Sequence, residues 1–290
     1  MKKLAFVQRN NQRHWVGDGF PVRSIFSYNE RAAELSPFLL LDYAGPANFP
    51  PTTQRKGVGE HPHRGFETVT IVYDGEVEHR DSTGGGGVIG PGDVQWMTAA
   101  GGLVHQEYHG SEYAKRGGAF EMVQLWVNLP AKDKMTAPGY QGITSAQIPR
   151  VELPDGAGAV RVIAGDYNGA RGPARTFTPM NVWDVKMNAG KRATFTVPAS
   201  HTTALFVLRG RIALADGTTI GEAEMAVLEC AGDEFAVEAL ENTTLLVLNG
   251  QPLNEPVVGH GPFVMNTRAE IQQAIVDYQN GRMGQIAQAH

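Results

Sequence analysis

Short apolar runs, each closed by a turn signal, recur along most of the chain. Phe66–Tyr73 ends in Asp74-Gly75, Phe120–Leu129 in Pro130, and Ala204–Leu208 in Arg209-Gly210. Arg211–Ala215 ends in Asp216-Gly217 and Thr243–Leu248 in Asn249-Gly250. Runs of this length between Gly, Pro, Asn and Asp read as strands joined by tight turns, and their recurrence predicts an all-β sandwich or barrel. Helical periodicity is nearly absent before the C-terminus. There Thr267 and Glu270 form a capping-box pattern, Ile271, Ile275 and Tyr278 follow at helical spacing, and Gly281 supplies a stop. This predicts one helix over about 268–280.

The segment 131–154 carries Lys132, Asp133, Lys134, Pro138, Gly139 and Pro149 and reads as a connection between two β domains, 1–135 and 136–290. A length of 290 residues fits two domains of about 150 each. A weak internal repeat agrees. A strand ending at Gly75 precedes a Pro91-Gly92-Asp93 turn, and a strand ending at Gly210 precedes an Ala231-Gly232-Asp233 turn.

Charge and cysteine content narrow the function classes. With 25 basic and 30 acidic residues the net charge is −5, so no overall field draws nucleic acid or anionic membrane. Arg9, Arg13, Arg23 and Arg31 are interspersed with neutral and acidic residues and form no DNA-binding stripe. The lone Cys230 excludes an intrachain disulfide and a thiolate metal cage; in an apolar run it is expected to be buried and inert. The apolar run Leu4–Val7 is too short for a signal peptide, and nothing approaches the roughly 18 apolar residues of a membrane helix. The expectation is a soluble cytoplasmic protein, with the nucleus the alternative in a eukaryote.

The candidate chemistry lies before residue 110. His61-Pro62-His63 is followed by His105-Gln106-Glu107. Residues i and i+2 of a strand share a face, so His61 pairs with His63 and His105 with Glu107. If the two strands face one another across a barrel, they deliver three imidazoles and a carboxylate to one point. Such a set suits a divalent Fe, Mn, Ni, Cu or Zn ion and leaves open positions in an octahedron, which marks a reactive site. Parity continued along the chain puts Glu67, Val69, Ile71 and Tyr73 on the histidine side and Thr68 and Thr70 opposite. Gly84–Gly87 reads as a flexible loop, since no Lys-Ser/Thr follows it as in a phosphate cradle. Trp96 and Trp126 read as core anchors, and His79, His109 and His201 as packing or surface residues.

His61-Pro62-His63-Arg64-Gly65-Phe66-Glu67-Thr68-Val69 resembles the signature of the pirin family, a branch of the cupin superfamily. The resemblance continues through Pro37–Asp42, Pro91–Ala99, Gln124–Leu129 and His260–Thr267, and so covers almost the whole chain. It departs slightly at Ala100-Gly101-Gly102, where many relatives read Gly-x-Gly, which puts the loop before His105 in doubt but removes no ligand. The resemblance implies a bicupin: two antiparallel jelly-roll β-barrel domains face to face, with metal only in the first and a degenerate second domain. It implies His61, His63, His105 and Glu107 as ligands, with Fe(II) the expected ion. Germin-like cupins imply Glu67 instead; the placement of His105 beside Glu107 favours Glu107, leaving Glu67 to orient a histidine or meet substrate. In the second domain Thr196 and Pro198 align with His61 and His63, and Leu245 and Val247 with His105 and Glu107, so no ligands are expected there. The activity implied is that of a quercetin 2,3-dioxygenase (flavonol 2,4-dioxygenase), which opens a flavonol with O2 and releases carbon monoxide, with Glu107 accepting a proton. The alternative implied by the family is a redox-dependent regulatory protein that binds a transcription factor or a metabolic enzyme.

Overall fold

The computed structural model describes residues 1–287. It divides into two compact units, each a large antiparallel sheet with a smaller one. The first unit holds Gln12–Ala32, Phe38–Ser145 and the stretch from Asn254 onward. Its seven-stranded sheet runs Gly139–Ile143, Val94–Thr98, Phe66–Asp74, Gly118–Asn128, Phe38–Phe49, Phe20–Ser27, His14–Val16. Its four-stranded sheet runs Gly57–His63, Leu103–His109, Val77–Asp81, Gly86–Ile89. The expected all-β class and jelly-roll pattern are present, but as pairs of separate sheets; no strand pairing closes either pair into a continuous barrel.

The second unit holds Met1–Asn11, Ala33–Pro37 and Ala146–Leu253. Its large sheet runs Leu4–Arg9, Glu224–Leu228, Thr202–Arg209, Thr243–Gly250, Met180–Met187, Gly158–Ala164, Arg150–Glu152. The small sheet runs Arg192–Thr196, Glu234–Ala239, Ile212–Leu214, Thr219–Ile220. Taken strand by strand, the two units share their order except at one edge of the large sheet, where the first adds a later strand, Gly139–Ile143, and the second the N-terminal Leu4–Arg9.

The units do not follow a single cut between 135 and 136. Leu4–Arg9 pairs with Glu224–Leu228, which carries the N-terminus into the second unit, while the C-terminal helix returns to the first. Nor is 131–154 only a connection, because Gly139–Ile143 pairs along Val94–Thr98 as an edge strand. Of Gly84–Gly87, expected as a loop, the last two residues open a short strand, Gly86–Ile89, paired with Val77–Asp81. Cys230, expected to be buried, is exposed; the strand before it ends at Leu228.

The C-terminal helix spans Arg268–Gln279. The Thr267 hydroxyl accepts from the Glu270 N–H at 3.2 Å, and Glu270 Oε2 accepts from the Asn266 N–H at 3.1 Å. Gly281, with φ of +70°, follows as a stop that only glycine adopts readily. The buried face is Ile271, Ala274 and Asp277, not the expected stripe, and Tyr278 is 40% exposed. Ile271 and Ala274 pack with Val104, Phe263, Met265 and Met283, so the helix lies over the strand that carries His105. The separate helices Tyr28–Leu35 and Ser111–Arg116 went unpredicted; both are short and the latter has a single buried residue, Tyr113, too little for a periodic signal.

Candidate metal centre

The small sheet of the first unit places the histidines. Gly57–His63 and Leu103–His109 are adjacent strands, with His105 directly opposite His61, and do not face one another across a barrel. A register shift between His105 and Glu107 puts Glu107 opposite Val58, the kind of bulge that re-aims a side chain at a site. On the far side of the same strand His105 faces Asp81, and Glu107 faces His79. The candidate ligand nitrogens of His61, His63 and His105 lie within 4.8 Å of one another, and this is the one such cluster among the described residues. Glu107 is not part of that trio; its Oε1 accepts from the Thr70 hydroxyl at 3.5 Å.

Burial sets the protonation of these groups. His63 is 4% exposed and His105 1%, and desolvation pushes both well below the ordinary histidine range, reinforced by the charge of His61. Desolvation lowers His61 too, opposed by the Gly59 carbonyl that its Nδ1 meets at 2.8 Å. Each shift favours the neutral imidazole, the form that ligates a metal. The Gly59 carbonyl at one ring nitrogen of His61 is the kind of partner that orients a metal-binding histidine. His63 Nδ1 and both nitrogens of His105 are buried without a hydrogen-bond partner, as are Thr68 Oγ1 and Gln95 Oε1 on the Thr70 side of the large sheet. An unsatisfied buried polar atom costs about 1–3 kcal/mol, so a cluster of them signals a space built around something polar. Glu107, with no cation beside it, is pushed up to about 7 by desolvation against the Thr70 hydrogen bond. A divalent ion among these groups answers both the orphaned nitrogens and the isolated carboxylate. The donor set fits a metal.

Glu67 is in a different place from the one that strand parity predicts. The chain changes sheet at Arg64-Gly65, where Gly65 has φ of +93° and an added Cβ would sit 2.0 Å from the Val264 oxygen. Glu67 therefore lies on the large sheet, opposite Thr98, whose hydroxyl donates to Oε1 at 2.7 Å. Desolvation raises its carboxyl to about 7, opposed chiefly by that bond. The switch also reverses the expected faces beyond it. Thr70 reaches Glu107 and donates to Gln124 Oε1 at 2.6 Å, so the threonine side borders the site. Trp126, read as a core anchor, stacks on Phe66 at 4.3 Å and stands 5.3 Å from the His63 ring, while Trp96 is fully buried.

His79, expected to be a packing residue, stands beside the candidate ligands. The Tyr140 hydroxyl donates to its Nε2, and desolvation lowers it to about 4 against the pull of Asp81. Burial and the charges of Asp81 and Glu107 hold the Tyr140 hydroxyl above its ordinary range. His109 is caged by Phe20, Phe49, Phe120 and Tyr113, and its Nε2 meets the Gly19 carbonyl at 2.8 Å, a packing role as expected.

The pirin family model matches residues 19–127, and a pirin C-terminal cupin domain model matches residues 182–284. The chain belongs to the pirin family. It is 60% identical over 282 residues to a Pseudomonas aeruginosa protein named "Putative quercetin 2,3-dioxygenase", covering 97% of this chain and 98% of that one. The crystal structure of a quercetin 2,3-dioxygenase from Acinetobacter baumannii superimposes with a TM-score of 0.97 at 55% identity, over 99% of this chain and all of that one. The Escherichia coli bacterial pirin YhhW, solved in complex with nickel(II), shares the fold at a TM-score of 0.63 and 18% identity, over 85% of this pirin and 99% of that chain. No helix among the described residues of this pirin is long and apolar enough to cross a membrane.

Two features of the pirin site had no separate signal in the sequence. Thr70, Gln124 and Trp126 border it because the chain switches sheets at Gly65. Asp277 reaches Arg64 because the helix turns its polar residue inward. A glycine directly after a ligand strand is the one cue to the first; the second has none at this spacing.

Proposed function

We propose that this pirin is a metal-dependent flavonol dioxygenase, in which His61, His63, His105 and Glu107 hold one divalent ion, Fe(II). The observation that carries the proposal is the cluster of three imidazoles, two of them buried with nitrogens that have no hydrogen-bond partner, with Glu107 two residues beyond His105 on the same strand. It gains weight from the strong likeness to proteins named quercetin 2,3-dioxygenases. Flavonol and O2 give an ester product and carbon monoxide, the two atoms of O2 entering the ester. When bound, the ion supplies a Lewis acid for the 3-hydroxyl and 4-carbonyl oxygens of the flavonol.

The residues of the chain supply the rest. Glu107, the carboxylate two residues beyond His105, takes the 3-hydroxyl proton. Trp126, partly exposed and stacked on Phe66, offers an apolar face to an aromatic substrate, and the partly exposed Gln124 offers a hydrogen bond to its hydroxyls. The test is anaerobic Fe(II) loading followed by quercetin turnover with direct detection of carbon monoxide. The expected result is stoichiometric carbon monoxide that requires iron and is lost in folded His61→Ala. Tight iron binding without turnover would reject the enzyme and move attention to a protein partner, a transcription factor or a metabolic enzyme, compared in both oxidation states of the iron.

A further inference from the structure

The two strands that carry the candidate ligands end in irregular turns, and a charged side chain between those turns ties them together. Arg64, directly after His63, is 4% exposed. Its Nε donates to the Gly101 carbonyl at 2.7 Å, and Gly101 stands in the turn that leads into Leu103–His109. Its Nη1 donates to Asp277 Oδ2 at 2.8 Å, from the C-terminal helix. Asp277 also accepts from Gln273 Nε2 at 2.8 Å and Arg282 Nη1 at 2.9 Å, so the carboxylate is itself held in place. Gly102 leaves the room this requires: a Cβ there would approach Arg64 Nε to 3.2 Å and Met283 Cγ to 3.0 Å.

The backbone repeats the arrangement. The Arg64 N–H donates to the Pro262 carbonyl at 3.3 Å, and the Arg64 carbonyl accepts from the Val264 N–H at 3.1 Å. The Gly65 N–H donates to the Ala100 carbonyl at 2.8 Å. Lys134 Nζ donates to the Gly65 and Val264 carbonyls at 2.7 and 2.9 Å. Arg64-Gly65, directly after His63, is thus bonded both to the turn before His105 and to a segment more than a hundred residues away in sequence.

We propose that Asp277 is a positioning residue for the metal centre: by holding the Arg64 guanidinium against the Gly101 carbonyl, it fixes the spacing between the segments that bear His63 and His105. The inference rests on the ligand assignment under Proposed function. Its physical basis is that a metal demands ligand atoms within tenths of an ångström, and residues beyond the ligands supply that order. A neutral Asn at 277 keeps the size but gives up the ion pair, the strongest of the contacts on Arg64.

Co(II) is the probe, since its visible bands report ligand geometry. Binding is measured by competition with a chelator in wild type, Asp277→Asn, Asp277→Glu and Ile271→Val, with His61→Ala as the ligand-deficient control. Asp277→Asn is expected to weaken Co(II) binding tenfold or more and to alter the visible spectrum, with partial recovery in Asp277→Glu. Ile271→Val, on the same helix but not in contact with Arg64 through a polar bond, lowers the thermal midpoint and leaves affinity and spectrum unchanged. Affinity within twofold of wild type and an unchanged spectrum in Asp277→Asn would overturn the proposal. If Asp277→Asn does not fold, Arg64→Lys serves instead, because an ammonium cannot span Gly101 and Asp277 as the guanidinium fork does. Wild type that binds Co(II) no better than His61→Ala overturns the ligand assignment itself, a result distinct from equal binding by wild type and Asp277→Asn.

Discussion

Glu67 and Glu107 show how little a carboxylate's burial says about its role. Desolvation raises both to about 7, and each accepts from one threonine hydroxyl, Thr98 for Glu67 and Thr70 for Glu107. Location separates them. Glu107 shares a strand with His105 and follows it at i+2, whereas Glu67 sits on the large sheet beyond the Gly65 turn. Glu107→Gln is therefore expected to lose most bound metal, to about a tenth of wild-type content or less in line with the 10–100-fold effects of disturbed metal sites, and Glu67→Gln to retain it. Metal analysis of the purified variants decides this. Full retention in Glu107→Gln alongside loss in Glu67→Gln would transfer the ligand role to Glu67.

At the level of elements, the C-terminal helix joins sequence-local and long-range order. Its cap is local: the Thr267 hydroxyl accepts the Glu270 N–H, one of the donors a helix start leaves free. Thr267→Ala is expected to cost about 1 kcal/mol, read as a lower denaturant midpoint with an unchanged slope. No shift would mean that packing of Ile271 and Ala274 alone holds the helix. This cap was legible in the sequence because it depends on residues three apart. The clustered histidines were legible for a related reason, since the i, i+2 spacing of His61 and His63 needs only a strand. What defeated sequence reading was change of direction. Parity carried from His63 to Glu67 fails because Gly65 passes the chain to another sheet, and Phe66–Asp74 is buried on both faces, so no polar alternation exposes the error. The edge strand Gly139–Ile143 looked like a linker because glycine and proline surround it, and its partner Val94–Thr98 lies some forty residues earlier. Asp277 was hidden because a carboxylate on a buried helix face makes sense only once Arg64 is beside it.

Over the whole molecule, one strand plan is used twice with opposite chemistry. Gly57–His63 beside Leu103–His109 in the first unit corresponds to Arg192–Thr196 beside Glu234–Ala239 in the second. The expected alignment of Leu245 and Val247 with His105 and Glu107 does not hold, since both lie on Thr243–Gly250 of the large sheet. Where the first unit pairs His61 with His105 across the strands, the second pairs Phe195 with Phe235, stacked at 5.0 Å among Trp183, Leu205 and Val247. Thr196 faces outward and is exposed, so the inward position belongs to a phenylalanine. The first interior accepts unsatisfied imidazoles that an ion can complete; the second is filled with apolar side chains that gain about 1.5–3 kcal/mol each from burial. Removing one of those rings should therefore weaken the second unit without emptying the first. Phe235→Ala is expected to cost about 3–5 kcal/mol in denaturant unfolding while the folded protein still binds one metal per chain. Loss of metal from folded Phe235→Ala would show that the second core supports the centre directly, and a stoichiometry of two in wild type would show that the second unit carries a site of its own.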